Sequence, residues 1–373
     1  MTDLTIVPHG TVLIRNGVIE DVGPARRVEN LAGARKAREI DATGRVVMPA
    51  FVDADMALVV AEPDTAQGLR VTSRQRIQAR ATAVASEWAR YGCLSVGALT
   101  PGATDMKNIG KVLRVHQTLQ SKPLRIRSIF SPAISAADGD DSAQSYIDAL
   151  TSKWLPAVRL KKLASILELT VEQPPASFDI PLLRTVAIAA AALGFAFRLR
   201  SVARLGQAHL EFALAAGVIA IVAPNDSFNS FIGPLAAIGC VRVIPASEGF
   251  DDSANAAREM RIAIDEGAAI AISSSYRTKD TSSSCNMQFL LHLAVGQLGL
   301  TVEEAITALT WNGACSLRLS HVTGSLEHGK KADLLLLDVA DYRELPRRAG
   351  HHDVSLAMRE GQVVFRNSPL MQD

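Results

Sequence analysis

The chain of 373 residues lacks an excess of charge of either sign, with 39 Lys and Arg against 38 Asp and Glu. So close a balance leaves no electrostatic footprint for nucleic acid or an anionic membrane surface, and neither is expected as a partner. Long apolar runs are missing too. The most apolar stretch, Val186 to Phe197, falls short of the roughly 20 residues a membrane-spanning helix needs, and Arg198 and Arg200 follow directly. Cysteine is scarce and scattered. Cys93, Cys240, Cys285 and Cys315 show neither a pairing pattern nor a zinc-binding spacing. The opening residues MTDLTIVPHG carry no basic flank and no apolar core of a signal peptide, so a cytoplasmic chain with free thiols is expected. No His-x-His occurs anywhere in the sequence either.

What is present is apolar material in quantity. At 48% hydrophobic residues the chain can bury a large core, which excludes a disordered protein. Both ends read as short strands with tight turns. Near the start, Thr11 to Ile14 and Val18 to Val22 flank Asn16-Gly17. Near the end, Leu334 to Leu337, Val354 to Met358 and Gln362 to Phe365 alternate with turn residues such as Glu360-Gly361. The middle has another rhythm. Short apolar strands (Cys93 to Leu99, Leu124 to Phe130, Ala164 to Val171, Phe195 to Leu199, Val218 to Val222, Val241 to Ile244, Ala269 to Ser273) alternate with segments of helical spacing such as Ala79 to Tyr91 and Ser253 to Asp265. Repeated strand-then-helix units imply a parallel sheet. Their number predicts an α/β fold, a (β/α)8 TIM-like barrel over residues 49–322, with a small β-sandwich domain assembled from residues 1–48 and 323–373.

Several motifs appear in a telling order: Leu113-Arg114-Val115, Trp154-Leu155-Pro156-Ala157-Val158, Gly299-Leu300-Thr301-Val302-Glu303-Glu304-Ala305 and Trp311-Asn312-Gly313-Ala314. Gly324-Ser325-Leu326-Glu327-His328-Gly329-Lys330-Lys331-Ala332-Asp333 follows, then Asp341-Tyr342-Arg343-Glu344-Leu345-Pro346. Together they resemble imidazolonepropionase, a metal-dependent ring-opening hydrolase of the amidohydrolase superfamily. The resemblance implies chemistry at the C-terminal ends of the barrel strands. There a divalent ion held by His-x-His, further histidines and an Asp lowers the pKa of a bound water for attack on an amide carbon.

Position by position, those ligands are replaced. The first-strand pair should follow Pro49-Ala50-Phe51-Val52-Asp53, which puts Asp55 and Ala57 in the two histidine places. Arg200 stands for the fifth-strand histidine, Ile221 for the sixth, and Ser275 for the last-strand Asp. A guanidinium offers no lone pair to a metal. The substrate contacts change as well: Asp64 lies near an expected Arg, and Ala133-Ile134-Ser135 replaces a stretch with a substrate-facing histidine. Glu172 matches a family glutamate near the metal. The expectation is a degenerate pocket of Asp53, Asp55, Ala57, Glu172, Arg198, Arg200, Ile221 and Ser275, with no catalytic residue, no metal and no cofactor.

Two sharper readings compete with that pocket. Asp53, Asp55 and Glu172 could form a new hard-metal site; the plainer reading is a structural Asp53 and an arginine-paired Asp55. Residues two apart on a strand share a face. Asp53, Asp55 and Ala57 are therefore expected to face inward together, as are Arg198 and Arg200. Arg200, helped by Arg198, is expected to bridge to Asp55 or Glu172; the alternative register turns both arginines to solvent. The serines at 273–275 and 282–284 have no base in reach and read as loop. His209 reads as a surface helix residue, His292 as packed, and His351-His352 as a solvated turn. A pseudoenzyme used for assembly or regulation, as a homo-oligomer or with an active amidohydrolase paralogue, is the leading functional expectation. An altered hydrolase of cyclic C–N bonds, or a small-molecule binder in the old pocket, is the alternative.

Overall fold

A computed structural model describes residues 4, 6–59, 66–100, 105–120, 123–132, 139–171, 180–201, 205–223, 231–246, 253–277 and 285–367. The chain opens with a hairpin of β1 (Gly10–Arg15) and β2 (Val18–Pro24), paired antiparallel. Its turn, Asn16-Gly17, has both residues at positive φ, 52° and 77°, the twist-matched geometry that favours Asn-Gly. After β3 (Val46–Pro49) the chain enters eight parallel strands. They are β4 (Phe51–Met56), β5 (Cys93–Ala98), β6 (Arg125–Phe130), β7 (Ile166–Val171), β8 (Ala196–Ser201), β9 (Ala220–Val222), β10 (Val241–Pro245) and β11 (Ala269–Ser273). Each strand pairs with its sequence neighbour, and the ring closes where Ser275 N–H donates to Asp55 O (3.1 Å) and Ala57 N–H to Tyr276 O (2.9 Å).

Strands covered on both faces must be apolar on both, which is why these segments read as continuous hydrophobic runs. Inside the barrel, Ala54, Ala220, Val222, Val241, Val243 and Ala271 form one layer, and Val52, Ile129, Ile166, Ala196 and Leu317 pack a second. Outside, helices seal the wall by their apolar stripes. In Arg74–Arg90, Ile77, Ala81, Ala85 and Trp88 are buried at helical spacing, and Ser73 caps the first turn by accepting from Arg76 N–H. No helix among the described residues is long and apolar enough to cross a membrane.

The chain then returns to β3 through β12 (Leu334–Leu337), β13 (Val354–Arg359) and β14 (Gln362–Arg366), giving an antiparallel sheet ordered β14-β13-β12-β3. Leu334, Leu336, Leu356 and Met358 bury one face against Val12, Ile14 and Val47, so the hairpin from the start lies on the sheet from the end. The two chain ends thus build one small antiparallel module, as the strand pattern predicts.

Candidate functional site

The site runs from the middle of β7 and β8, where Glu168 and Arg198 stand, to Asp55 and Arg200 near the C-terminal ends of β4 and β8. Alternation along β8 turns Arg198 and Arg200 to one face, and the parallel register sets Glu168 of β7 beside Arg198. Glu168 uses both oxygens. Its Oε1 accepts from Arg200 Nε at 2.8 Å, and its Oε2 lies 3.0 Å from Arg198 Nη2. Across the barrel, Arg200 Nη2 donates to Asp55 Oδ1 and Arg198 Nη1 donates to the Ala54 carbonyl at 3.0 Å. Arg277, just past β11, places Nη2 3.7 Å from Asp55 Oδ2. First and fifth strands stand opposite each other in an eight-stranded ring, so the cluster is a strut through the barrel interior.

Asp55, Glu168 and Arg198 are fully buried and Arg200 is 9% exposed. Burial alone would raise the Asp55 carboxyl pKa, yet the Arg200, Arg277 and Arg198 cations outweigh it and hold it below the ordinary range. Burial likewise works against the Arg200 charge, and Asp55 with Glu168 more than restores it. Asp55 and Arg200 thus each hold the other in its charged form.

The divalent ion implied by the resemblance does not fit these residues. Among the described residues no three His, Cys, Asp or Glu side chains converge, and the group between Asp55 and Glu168 is a guanidinium, a donor with nothing to offer a metal. Glu172 lies outside the described residues, as do Asp64, the 133–135 stretch and the serines at 282–284. The glutamate that meets the arginines is Glu168. It was legible as a charged residue inside an otherwise apolar strand, a pattern that demands a buried partner.

Three expectations need correction. Asp53 does not share its surroundings with Asp55. Its carboxylate accepts from Trp88 Nε1 at 3.0 Å, from the Ser274 hydroxyl, from Ser274 N–H at 3.1 Å and from Asp55 N–H at 3.3 Å. Trp88 belongs to the helix outside the wall, so Asp53 fastens that helix to the barrel's closing seam. The cause is local: β4 pairs with β5 through register shifts at Phe51/Val52 and between Asp53 and Met56, and simple alternation fails there. Burial pushes the Asp53 carboxyl up to about 6, against its four hydrogen bonds. Ile221 also misses the site. Ala220 and Val222 face the interior, while Ile221 packs in the outer core and borders a small cavity with Ile232, Leu235 and Cys240. His352 is no solvated turn residue, since its Nε2 bonds to the Arg90 carbonyl (2.9 Å) and its ring packs on Tyr91 and Phe365.

Other residues fall near their expected places. Ser275 is buried beside Asp55 through the backbone bond that closes the ring, with its hydroxyl 3.3 Å from that of Ser273. Ala57 is buried next to it. His209 lies half-buried on the helix Gln207–Ala216, and His292 is held through Nδ1 by the Pro346 carbonyl at 2.6 Å.

Comparison with known proteins agrees with this architecture. The Amidohydrolase family matches residues 240–364. An imidazolonepropionase from Solibacter usitatus is 29% identical over 412 aligned positions, covering 99% of this chain and 94% of that protein. One from Porphyromonas gingivalis is 28% identical, covering 98% and 91%. Among solved structures, 5-methylcytosine deaminase from Klebsiella pneumoniae superposes with a TM-score of 0.73 at 16% identity, over 98% of this chain and 96% of that one. The ochratoxinase of A. niger gives 0.70 at 16% identity over 96% and 92%. With a TIM-like barrel and a small sheet from both chain ends, the chain is similar to imidazolonepropionases along nearly its whole length, and its residues 240–364 match the Amidohydrolase family.

Proposed function

We propose that this chain is a non-catalytic member of its superfamily that keeps the barrel for assembly or regulation. The observation that carries the reading is the Arg200 guanidinium bonded to Asp55 and Glu168 at the strand ends where the relatives' fold would hold an ion. Hydrolysis in such a barrel depends on lowering the pKa of water from ~15.7 toward ~7, and a guanidinium does not do this. Assembly with a second copy or a related barrel is favoured by apolar residues on the outer helices Leu155–Leu160 and Ile180–Ala192, where Leu160 is 83% and Ile188 is 72% exposed.

The test combines turnover and metal content. Purified protein is assayed on imidazolone propionate and dihydroorotate, with and without added zinc or manganese, and its bound metal is measured. No turnover and no stoichiometric metal are expected. Metal-dependent hydrolysis that vanishes in Asp55→Asn would overturn the reading. A strictly monomeric particle in sedimentation would remove self-association.

A further inference from the structure

The opposite end of the barrel carries a cation that the mouth does not explain. Arg125 and Arg127 lie two apart at the start of β6, in the alternation set that includes Ile129 of the second interior layer. Arg125 has its counter-charge, with Nη2 3.0 Å from Asp333 Oδ2 and 3.0 Å from Glu360 Oε1, although its Nε, like that of Arg127, is buried without a hydrogen-bond partner. Those two carboxylates have further commitments. Asp333 Oδ1 accepts from Glu360 N–H at 2.8 Å, while Glu360 lies 3.4 Å from Arg359 and 3.8 Å from Lys331.

Arg127 receives no such partner. Among the described residues no carboxylate pairs with it. Its Nη1 reaches Ser165 Oγ at 3.4 Å and its Nη2 the Arg318 carbonyl at 3.5 Å, both long contacts, and its buried Nε has no hydrogen-bond partner. Burial and the neighbouring Arg125 lower its pKa, so the charged form is held at a cost. The surroundings add positive charge. Exposed Lys161 and Lys162 stand in the turn that leads to Ser165, and exposed Arg318 holds a left-handed backbone at φ 51°.

We propose that this N-terminal rim of the barrel binds a small oxyanion, a phosphate or carboxylate group, in the fork of Arg127 beside the Ser165 hydroxyl. A guanidinium presents parallel donors that match such a group, and a half-buried cation without counter-charge is the feature an anion would repair. The site is distinct from the Asp55–Arg200 strut at the other end of the barrel and does not depend on whether the mouth is catalytic.

The experiment is thermal unfolding of the full chain in increasing sodium phosphate or sodium succinate, against sodium chloride at equal ionic strength. A saturable rise on the order of 2–4 °C beyond chloride is expected, for phosphate, succinate or both. Which salt acts identifies the group recognised. The rise should disappear in Arg127→Met and persist in Arg184→Met, a change at an exposed helix position. Arg127→Met should be at least as stable as the parent in chloride, so a lost response cannot be blamed on unfolding. A response equal to that of chloride, as expected if Arg127 merely extends its head into water, overturns the proposal. So does a response that survives Arg127→Met.

Discussion

At the junction between barrel and small sheet, the motifs that carry the family likeness have packing reasons. Asn312 donates to the Ile270 carbonyl at 2.7 Å, tying a helix to β11. Gly313 lies so close to β4 that a Cβ would sit 2.8 Å from the Val52 carbonyl oxygen. His328 Nδ1 bonds to the Glu20 carbonyl at 2.6 Å, and Asp333 binds Arg125 and the Glu360 backbone. The mouth differs. Its backbone sits where a strand-end site belongs, but its side chains form arginine–carboxylate pairs. The two regions constrain sequence through different physics. Backbone contact at the junction fixes residue type by shape, whereas the mouth requires only that buried charge be balanced, which an ion or a guanidinium can each do.

The largest test of that contrast is Glu168→Ala. It leaves Arg198, fully buried, with only Asp55 at 4.0 Å and removes one of two partners from Arg200. Truncating one side of a buried ion network costs about 3–5 kcal/mol, because the remaining charge stays desolvated. The double variant Glu168→Leu with Arg198→Met should recover most of the loss, since apolar groups of similar volume replace buried pairs at little cost. Denaturant unfolding measures both. A single-variant loss under about 1 kcal/mol would mean that the strut is not a stabilising tie across the barrel.

Asp53 and Asp55 sharpen the comparison within the mouth itself. Asp53 has neutral donors and a pKa near 6, above its ordinary 3.8, so between those values the folded state holds the proton better. Its contribution is therefore fully present below pH 3.8 and is lost as pH rises through 6, by about 3 kcal/mol in all. His116 opposes it. Buried with neither ring nitrogen hydrogen-bonded, it is pushed down to about 3 from 6.5, so stability falls as pH drops below 6.5. Asp55, held low by its arginines, loses its contribution only as pH falls from 3.8. Unfolding free energies at pH 4, 5 and 6 should thus decline with rising pH in His116→Leu and lose that slope when Asp53→Asn is added. A slope that remains in the double variant would show that Asp53 does not titrate in this window.

The fold was legible because its signals are repeated: short strands apolar on both faces, stripes at helical spacing, and two Asn-Gly or Glu-Gly turns that set hairpins. The site was legible only in part. Arg200 opposite Asp55 followed from counting charges that a barrel interior cannot leave alone. Asp53 and Ile221 lie outside the cluster, because local strand geometry and not position in the motif order decides which way each faces. A register shift in β4 redirects Asp53, and a three-residue β9 gives too few positions to fix which face Ile221 takes. Glu168 is a charge inside an otherwise apolar strand, which the sequence shows, while Glu172, expected near the site from the family resemblance, lies outside the described residues.

The smallest effect belongs to the junction's most specific motif. Tyr342, at the start of the short helix Tyr342–Arg347, donates its hydroxyl to Glu303 on the helix Val302–Leu309, and that bond is the leading cause of the lowered Glu303 pKa. Arg343 adds a contact to the same carboxylate at 3.6 Å. The pair is partly exposed, with 31% of the Glu303 side chain open to water, so solvent competes for the carboxylate and screens its charge. Tyr342→Phe keeps the ring against the core and removes only the hydroxyl. The expected cost is about 0.5–1 kcal/mol, with the Glu303 carboxyl moving back toward its ordinary value. Carboxyl-resolved NMR titration and denaturant unfolding check the two parts separately. A loss several times larger would mean that this junction, like the mouth, depends on a desolvated charge, and the contrast between packing and charge balance would fail at the place where the family resemblance is narrowest.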